Sequence, residues 1–150
     1  MRAVVQRVSS ASVTVADRII GKIDAGVLIY LGVGKDDTEK DADYLAEKII
    51  NLRIFEDNEG KMNLSLLDVK RQALIVSQFT LYGDSRRGRR PSFSDAAPPE
   101  EGERLFKYFI EQMQNKWKID LETGIFRENM LVHSINEGPV TMLLDSSKLF

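Results

Sequence analysis

The sequence predicts one α+β domain, built from several mainly antiparallel strands and two helices. Short β-prone runs are separated by turn residues, and two longer segments carry apolar residues at helical spacing. No linker, repeat or low-complexity stretch divides residues 1–150. A chain of 150 residues fits one domain and is long enough to bury a real core.

Val4 to Val8 reads as a strand. Val13 and Val15, then Ile19 and Ile20, flank Ala16-Asp17-Arg18 as a hairpin. Gly26 to Gly34 is an apolar run bounded by glycines, the pattern of a strand buried on both faces. Thr38 suits the N-cap of a first helix, whose apolar face is Ala42, Leu45, Ala46, Ile49 and Ile50. Leu52 to Phe55 is strand-like, and Asp57 to Gly60 is a turn. Ala73 to Leu81 is the longest β-prone stretch, and Asp84 to Ala97 is a polar, basic loop. Pro98-Pro99 suits the start of a second helix, with Leu105, Phe106, Phe109, Ile110 and Met113 on its apolar side. Leu131, His133 and Ile135 face one way on a strand, and Val140, Met142 and Leu144 alternate on the next. Asn136 to Pro139 connects the two.

Composition removes most side-chain catalysts. The chain has no cysteine, hence no disulfide, thiolate nucleophile, zinc finger or iron–sulfur cluster. Its single histidine, His133, rules out a multi-histidine metal centre, so neither metal nor cofactor is expected. No apolar run approaches the ~20 residues of a membrane helix. The first eight residues read as a strand, not a signal peptide. The expected setting is soluble cytoplasm. Net charge is −2, which gives no general case for nucleic acid. Locally the picture differs: Arg86, Arg87, Arg89 and Arg90 surround Gly88 in one loop. Such a loop is either simply solvated or a phosphate contact, and Phe93 just beyond it suits stacking on a base.

Two segments remain as candidate chemistry. Ser77-Gln78-Phe79-Thr80-Leu81 ends the long apolar strand, and Asn136-Glu137-Gly138-Pro139-Val140-Thr141 lies near the C-terminus. Both set hydroxyl side chains beside tight backbone features, which suits a site working through main-chain groups. Ser77 and Thr80 project together only if the strand ends or bulges between them. Thr80 lacks an evident base, so positioning a substrate or water suits it better than nucleophilic attack. His133, between Leu131 and Ile135, reads as a partly buried sheet position. Gly138-Pro139 reads as a turn; a cis bond occurs in only about 5–6% of X–Pro pairs in folded proteins, so the residues leave the isomer open.

Taken together, MRAVVQRV at the start, LRIFED at 52–57, GKMN at 60–63, SQFTL at 77–81, RPSF at 90–93 and NEGPVT at 136–141 resemble the D-aminoacyl-tRNA deacylases, nearly end to end. The resemblance implies a barrel-like core and a homodimer with active sites at the interface. In that family a Gly–cis-Pro pair, matched by Gly138 and Pro139, enters the partner's site. Ser77, Gln78, Phe79 and Thr80 match the segment holding the terminal adenosine and the ester. Arg7 matches an arginine supporting the Gly–Pro loop, and Phe93 and Met130 join the implied substrate site. The resemblance implies a carboxylic ester hydrolase acting on aminoacyl-tRNA, with no DNA or membrane partner. Thr80 has been regarded there as a nucleophile, while another view assigns catalysis to backbone groups and the tRNA's 2′-hydroxyl; the missing base favours the latter. Lys70-Arg71, Arg127-Glu128-Asn129 and His133 depart from the family pattern. A non-catalytic RNA-end binder and a Thr-dependent hydrolase of small esters or amides are the competing classes.

Overall fold

Strand β1 (Arg2–Val15) is hydrogen-bonded along both edges, and the fold is built outward from it. Ala3, Val5, Val8, Ala11 and Val13 of this strand are buried, while Val4 and Val15 are half-buried. One edge pairs antiparallel with β3 (Gly26–Gly32) through Arg2 to Val8, then with β2 (Arg18–Ile23) through Ala11 to Val15. The other edge pairs antiparallel with β8 (Leu131–Asp145) over nearly its whole length. The structure, a computed structural model, describes residues 1–149.

Beyond β3 the pairing becomes parallel, first with β6 (Gln72–Ser77) and then with β7 (Leu121–Thr123). The sheet therefore runs β2-β1-β3-β6-β7, with β8 attached to β1. Gly21 of β2 lies so near β7 that a Cβ there would sit 3.0 Å from the Thr123 carbonyl oxygen, so the sheet curls almost closed. β3 and β6 are buried on both faces, as their continuous apolar runs require. Val27, Ile29, Ala73 and Ile75 meet the helices, while Leu28, Leu74 and Val76 fill the barrel interior with Val8, Val13 and Ile23.

The helical layer follows the sequence closely. α1 (Glu39–Ile50) buries all five expected apolar residues. Thr38 caps it, and the Asp41 carboxylate accepts from the Thr38 amide at 2.8 Å and hydroxyl at 2.9 Å. A short α2 (Leu66–Val69) opens with Ser65, whose amide and hydroxyl both donate to Asp68. α3 (Pro99–Glu111) buries Leu105, Phe106 and Phe109, then passes into a π-helical turn (Gln112–Lys116) that buries Met113. Burial of each such large side chain stabilises by about 1.5–3 kcal/mol.

Four expectations need correction. Leu52 to Phe55 is mostly not a strand: the Leu52 and Ile54 amides bond locally as the chain leaves α1, and only β4 (Phe55–Glu56) pairs, with β5 (Met62–Leu64). The strand expected to Leu81 stops at Ser77, and Phe79–Tyr82 forms a 3-10 turn. Asn136 to Pro139 is a bulge inside β8, where β1 advances from Gln6 to Val8 while β8 runs from Thr141 back to Asn136. Leu131, His133 and Ile135 do share one face, but that face is exposed, His133 included. In addition, α2, β7 and the parallel pairings carried no clear sequence signal, being short or dependent on tertiary contacts.

Lys70, which ends α2, adopts the left-handed conformation with φ 51° and ψ 40°. Side-chain sterics make this conformation costly for any residue but glycine. Lys70→Gly should therefore raise stability by about 0.5–1 kcal/mol, after allowing for the added freedom of the unfolded chain. Urea unfolding measures this, through a higher midpoint at unchanged slope.

Candidate active site

Where β6 ends, the Gln78 amide still bonds the Leu31 carbonyl of β3, at 2.8 Å. The chain then turns, because Leu81 N–H donates back to the Gln78 carbonyl at 3.3 Å. Phe79 and Thr80 occupy the first two positions of this turn, where amides have no intrahelical partner. Neither amide has an acceptor among the described residues. Close packing on the end of β3 and the residues just after it fixes the turn: a Cβ at Gly32 would lie 2.8 Å from the Gln78 oxygen, and one at Gly34 would lie 2.7 Å from the Tyr82 ring. Burial, reinforced by the Asp37 carboxylate, pushes the Tyr82 phenol well above its ordinary pKa, so it stays a donor to Asp37 at 3.1 Å.

Beside the turn lies a cavity of about 730 Å³. Ser77, Gln78, Phe79, Phe93 and Met130 line it, five of the residues expected at the substrate site. Sequence reasoning missed its other walls, which come from Ala96 to Pro99 and from Phe126 to Asn129. The Pro98-Pro99 pair was a signal only for a helix start, and nothing in Phe126 to Asn129 marked a pocket. Phe79 and Phe93 meet edge-to-face with centroids 5.0 Å apart, and both rings are exposed. Thr80 is exposed and does not line the cavity. Its hydroxyl accepts from the Gln78 side-chain amide, and no acid or base bonds it among the described residues.

Gly138 and Pro139 lie elsewhere in the same chain. Their peptide bond is cis, and Gly138 has φ +120°. Asn136 closes the neck of the bulge: its oxygen accepts from Val140 N–H at 3.2 Å and its amide donates to Thr141 Oγ1 at 2.9 Å. Gln6 donates to the same Thr141 oxygen at 3.2 Å. Beneath the bulge, buried Arg7 donates to the Ile54 carbonyl at 2.8 Å and the Glu137 carbonyl at 3.3 Å. Arg7 and Gly138 line a second, smaller cavity of about 300 Å³ with Glu56, Arg71 and Glu137. Within one chain, then, the two motifs do not share a pocket.

The family description D-Tyr-tRNA(Tyr) deacylase matches residues 4–145. The chain is 63% identical to a D-aminoacyl-tRNA deacylase of Thermosipho melanesiensis and 61% identical to one of Fervidobacterium nodosum, each over 150 residues and the whole of both chains. The chain belongs to this deacylase family. Among solved structures, the c-Myc DNA Unwinding Element Binding Protein superposes with a TM-score of 0.92 at 41% identity, covering 97% of this chain and 98% of that one.

The arginine loop is a closed hairpin beside the cavity. Asp84 and Ser92 exchange both backbone hydrogen bonds, at 2.7 and 2.8 Å, and Gly88 turns the tip with φ +76°. Arg86 grips Asp84 through two bonds of 2.9 and 2.8 Å, and this contact holds the Asp84 carboxyl down at about 2. Arg87, Arg89 and Arg90 are exposed and have no ion pair among the described residues. The four arginines are therefore not equivalent. Replacing Arg87, Arg89 and Arg90 by Gln should lower the slope of log K against log salt for tRNA by up to about 0.7–0.9 per lost phosphate contact. Arg86→Gln should change the slope less, because that charge is already paired. Filter-binding titrations across salt concentrations measure both.

Proposed function

We propose that the protein hydrolyses the ester joining a D-amino acid to the 3′ end of tRNA, releasing the free D-amino acid and the tRNA. The observation that carries this reading is the full-length match to the deacylase family. The geometry of the turn supports a mechanism. An aminoacyl ester is already an activated acyl group, so orientation and oxyanion stabilisation supply most of what is needed. The acceptor-free amides of Phe79 and Thr80 suit the developing oxyanion. The cavity beside them accepts the terminal adenosine, with Phe93 available for stacking. The vicinal 2′-hydroxyl orients or activates water, which favours RNA over DNA.

The working unit is a homodimer in this proposal. β8 has no strand on its outer edge among the described residues, and Leu131, Ile135 and Leu143 stand exposed along it. A long edge strand bearing apolar side chains is a ready surface for a second copy. The exposed Gly138-Pro139 pair of that copy then walls the cavity. Chirality is sorted by exclusion: the wall occupies the volume an L side chain needs and leaves the D direction open. Glycine carries no side chain to exclude, so glycyl-tRNA is a secondary substrate.

Deacylation of matched D- and L-aminoacyl-tRNAs by the purified protein tests the reading. The D form is hydrolysed and the L form stays at its spontaneous rate; equal rates would contradict the exclusion. Binding without turnover would instead indicate an RNA-end binder. Equal efficiency on free amino-acid esters would indicate a small-ester hydrolase. In the same assay Thr80→Ala should keep its rate within about tenfold, whereas loss of a true nucleophile costs several orders of magnitude.

A further inference from the structure

The Phe79–Tyr82 turn is held from behind by a side chain that never meets the cavity. Arg2 Nη1 donates to the Leu81 carbonyl at 3.0 Å, and its guanidinium lies over the Tyr82 ring, 4.5 Å from the centroid. Arg2 Nε donates to the buried Asp145 carboxylate at 3.0 Å. That carboxylate is fixed in turn by the Ser147 amide at 2.7 Å. One planar group thus ties the Leu81 carbonyl and the Tyr82 ring of the turn to the end of β8. Asp37, which takes the Tyr82 hydroxyl, also accepts from Gly34 N–H and from the Met1 amine.

The geometry points to Arg2 as a positioning residue for deacylation, holding the turn so that its two acceptor-free amides keep a fixed aim. This inference rests on the reaction proposed above. Arginine suits the task because its rigid fork bonds two acceptors while its face stacks on an aromatic ring. Lysine offers a point charge and cannot do all three at once. Misplacement of reacting groups by about 1 Å costs up to about a hundredfold in rate, so small slack in the turn is felt in turnover.

The test compares Arg2→Ala and Arg2→Lys with the wild-type protein on D-aminoacyl-tRNA, together with hydrogen exchange at the Leu81 and Gly83 amides, which donate within the turn to the Gln78 and Thr80 carbonyls at 3.3 and 2.9 Å. The expected result is a kcat lower by about ten- to a hundredfold in Arg2→Ala, with KM within about threefold, and faster exchange in the turn. Arg2→Lys should recover only part of the rate. Added guanidinium ion at millimolar concentration should rescue Arg2→Ala in part, which a general loss of stability would not allow. A lower melting temperature with unchanged kcat per folded molecule would overturn the inference while leaving the reaction in place. A wild-type protein without activity would overturn the reaction; faster exchange in Arg2→Ala would then still show that Arg2 holds the turn, and unchanged exchange would remove that role as well.

Discussion

Pairing of β1 along both edges is the constraint on which the remaining structure depends. Residues five apart on a strand point to opposite faces. β1 therefore delivers Arg2 behind the Phe79–Tyr82 turn and Arg7 beneath the Gly138-Pro139 bulge. The same strand sets the bulge itself, since Gln6 and Val8 are the last partners of Thr141 and Asn136 on either side. One rigid element thus fixes both motifs, though they open into different cavities.

Arg7 shows how the bulge is stabilised. Burying a guanidinium is costly unless it is fully hydrogen-bonded. Here two carbonyls accept from it, and the Glu56 and Glu137 carboxylates lie 3.7 and 3.6 Å away. Gly138 is required above it for a direct reason. A Cβ there would lie 2.9 Å from Arg7 Nη2 and 2.8 Å from Val140 Cγ2, in a conformation that L side chains rarely adopt. The glycine, the arginine and the Asn136 neck are one unit, and each loses its purpose without the others.

Much of this was legible in the sequence. Helical spacing located α1 and α3, and a continuous apolar run gave β3 its burial on both faces, because periodicity reports directly on which faces meet the core. Of the site residues expected from the resemblance, Ser77, Gln78, Phe79, Phe93 and Met130 line one cavity, Thr80 does not, and Arg7 and Gly138 line the other. The 3-10 turn escaped because Phe79 to Leu81 has the β-prone composition of the strand before it; Gly32 at the end of β3 and Gly34 just beyond it, remote in sequence, are what the turn packs against. His133 was read as half-buried from its apolar neighbours. Alternation cannot tell a core face from an exposed one. Arg2 lies in the opening segment that carries the resemblance, but nothing in the sequence signals its contact with the turn, since its partners come from residues 81, 82 and 145.

The central claim is that two motifs kept apart in one chain meet across two copies. Subunit mixing tests it most directly. Gly138→Ala disables the bulge, and Phe79→Pro deletes one turn amide at a position whose backbone proline tolerates. Each homodimer should be inactive. Co-refolded at equal amounts, random pairing makes half of the dimers mixed, each with one intact site, so activity should return to about a quarter of wild type. Mixtures that stay as inactive as the separate variants would contradict assembly of the site from both copies.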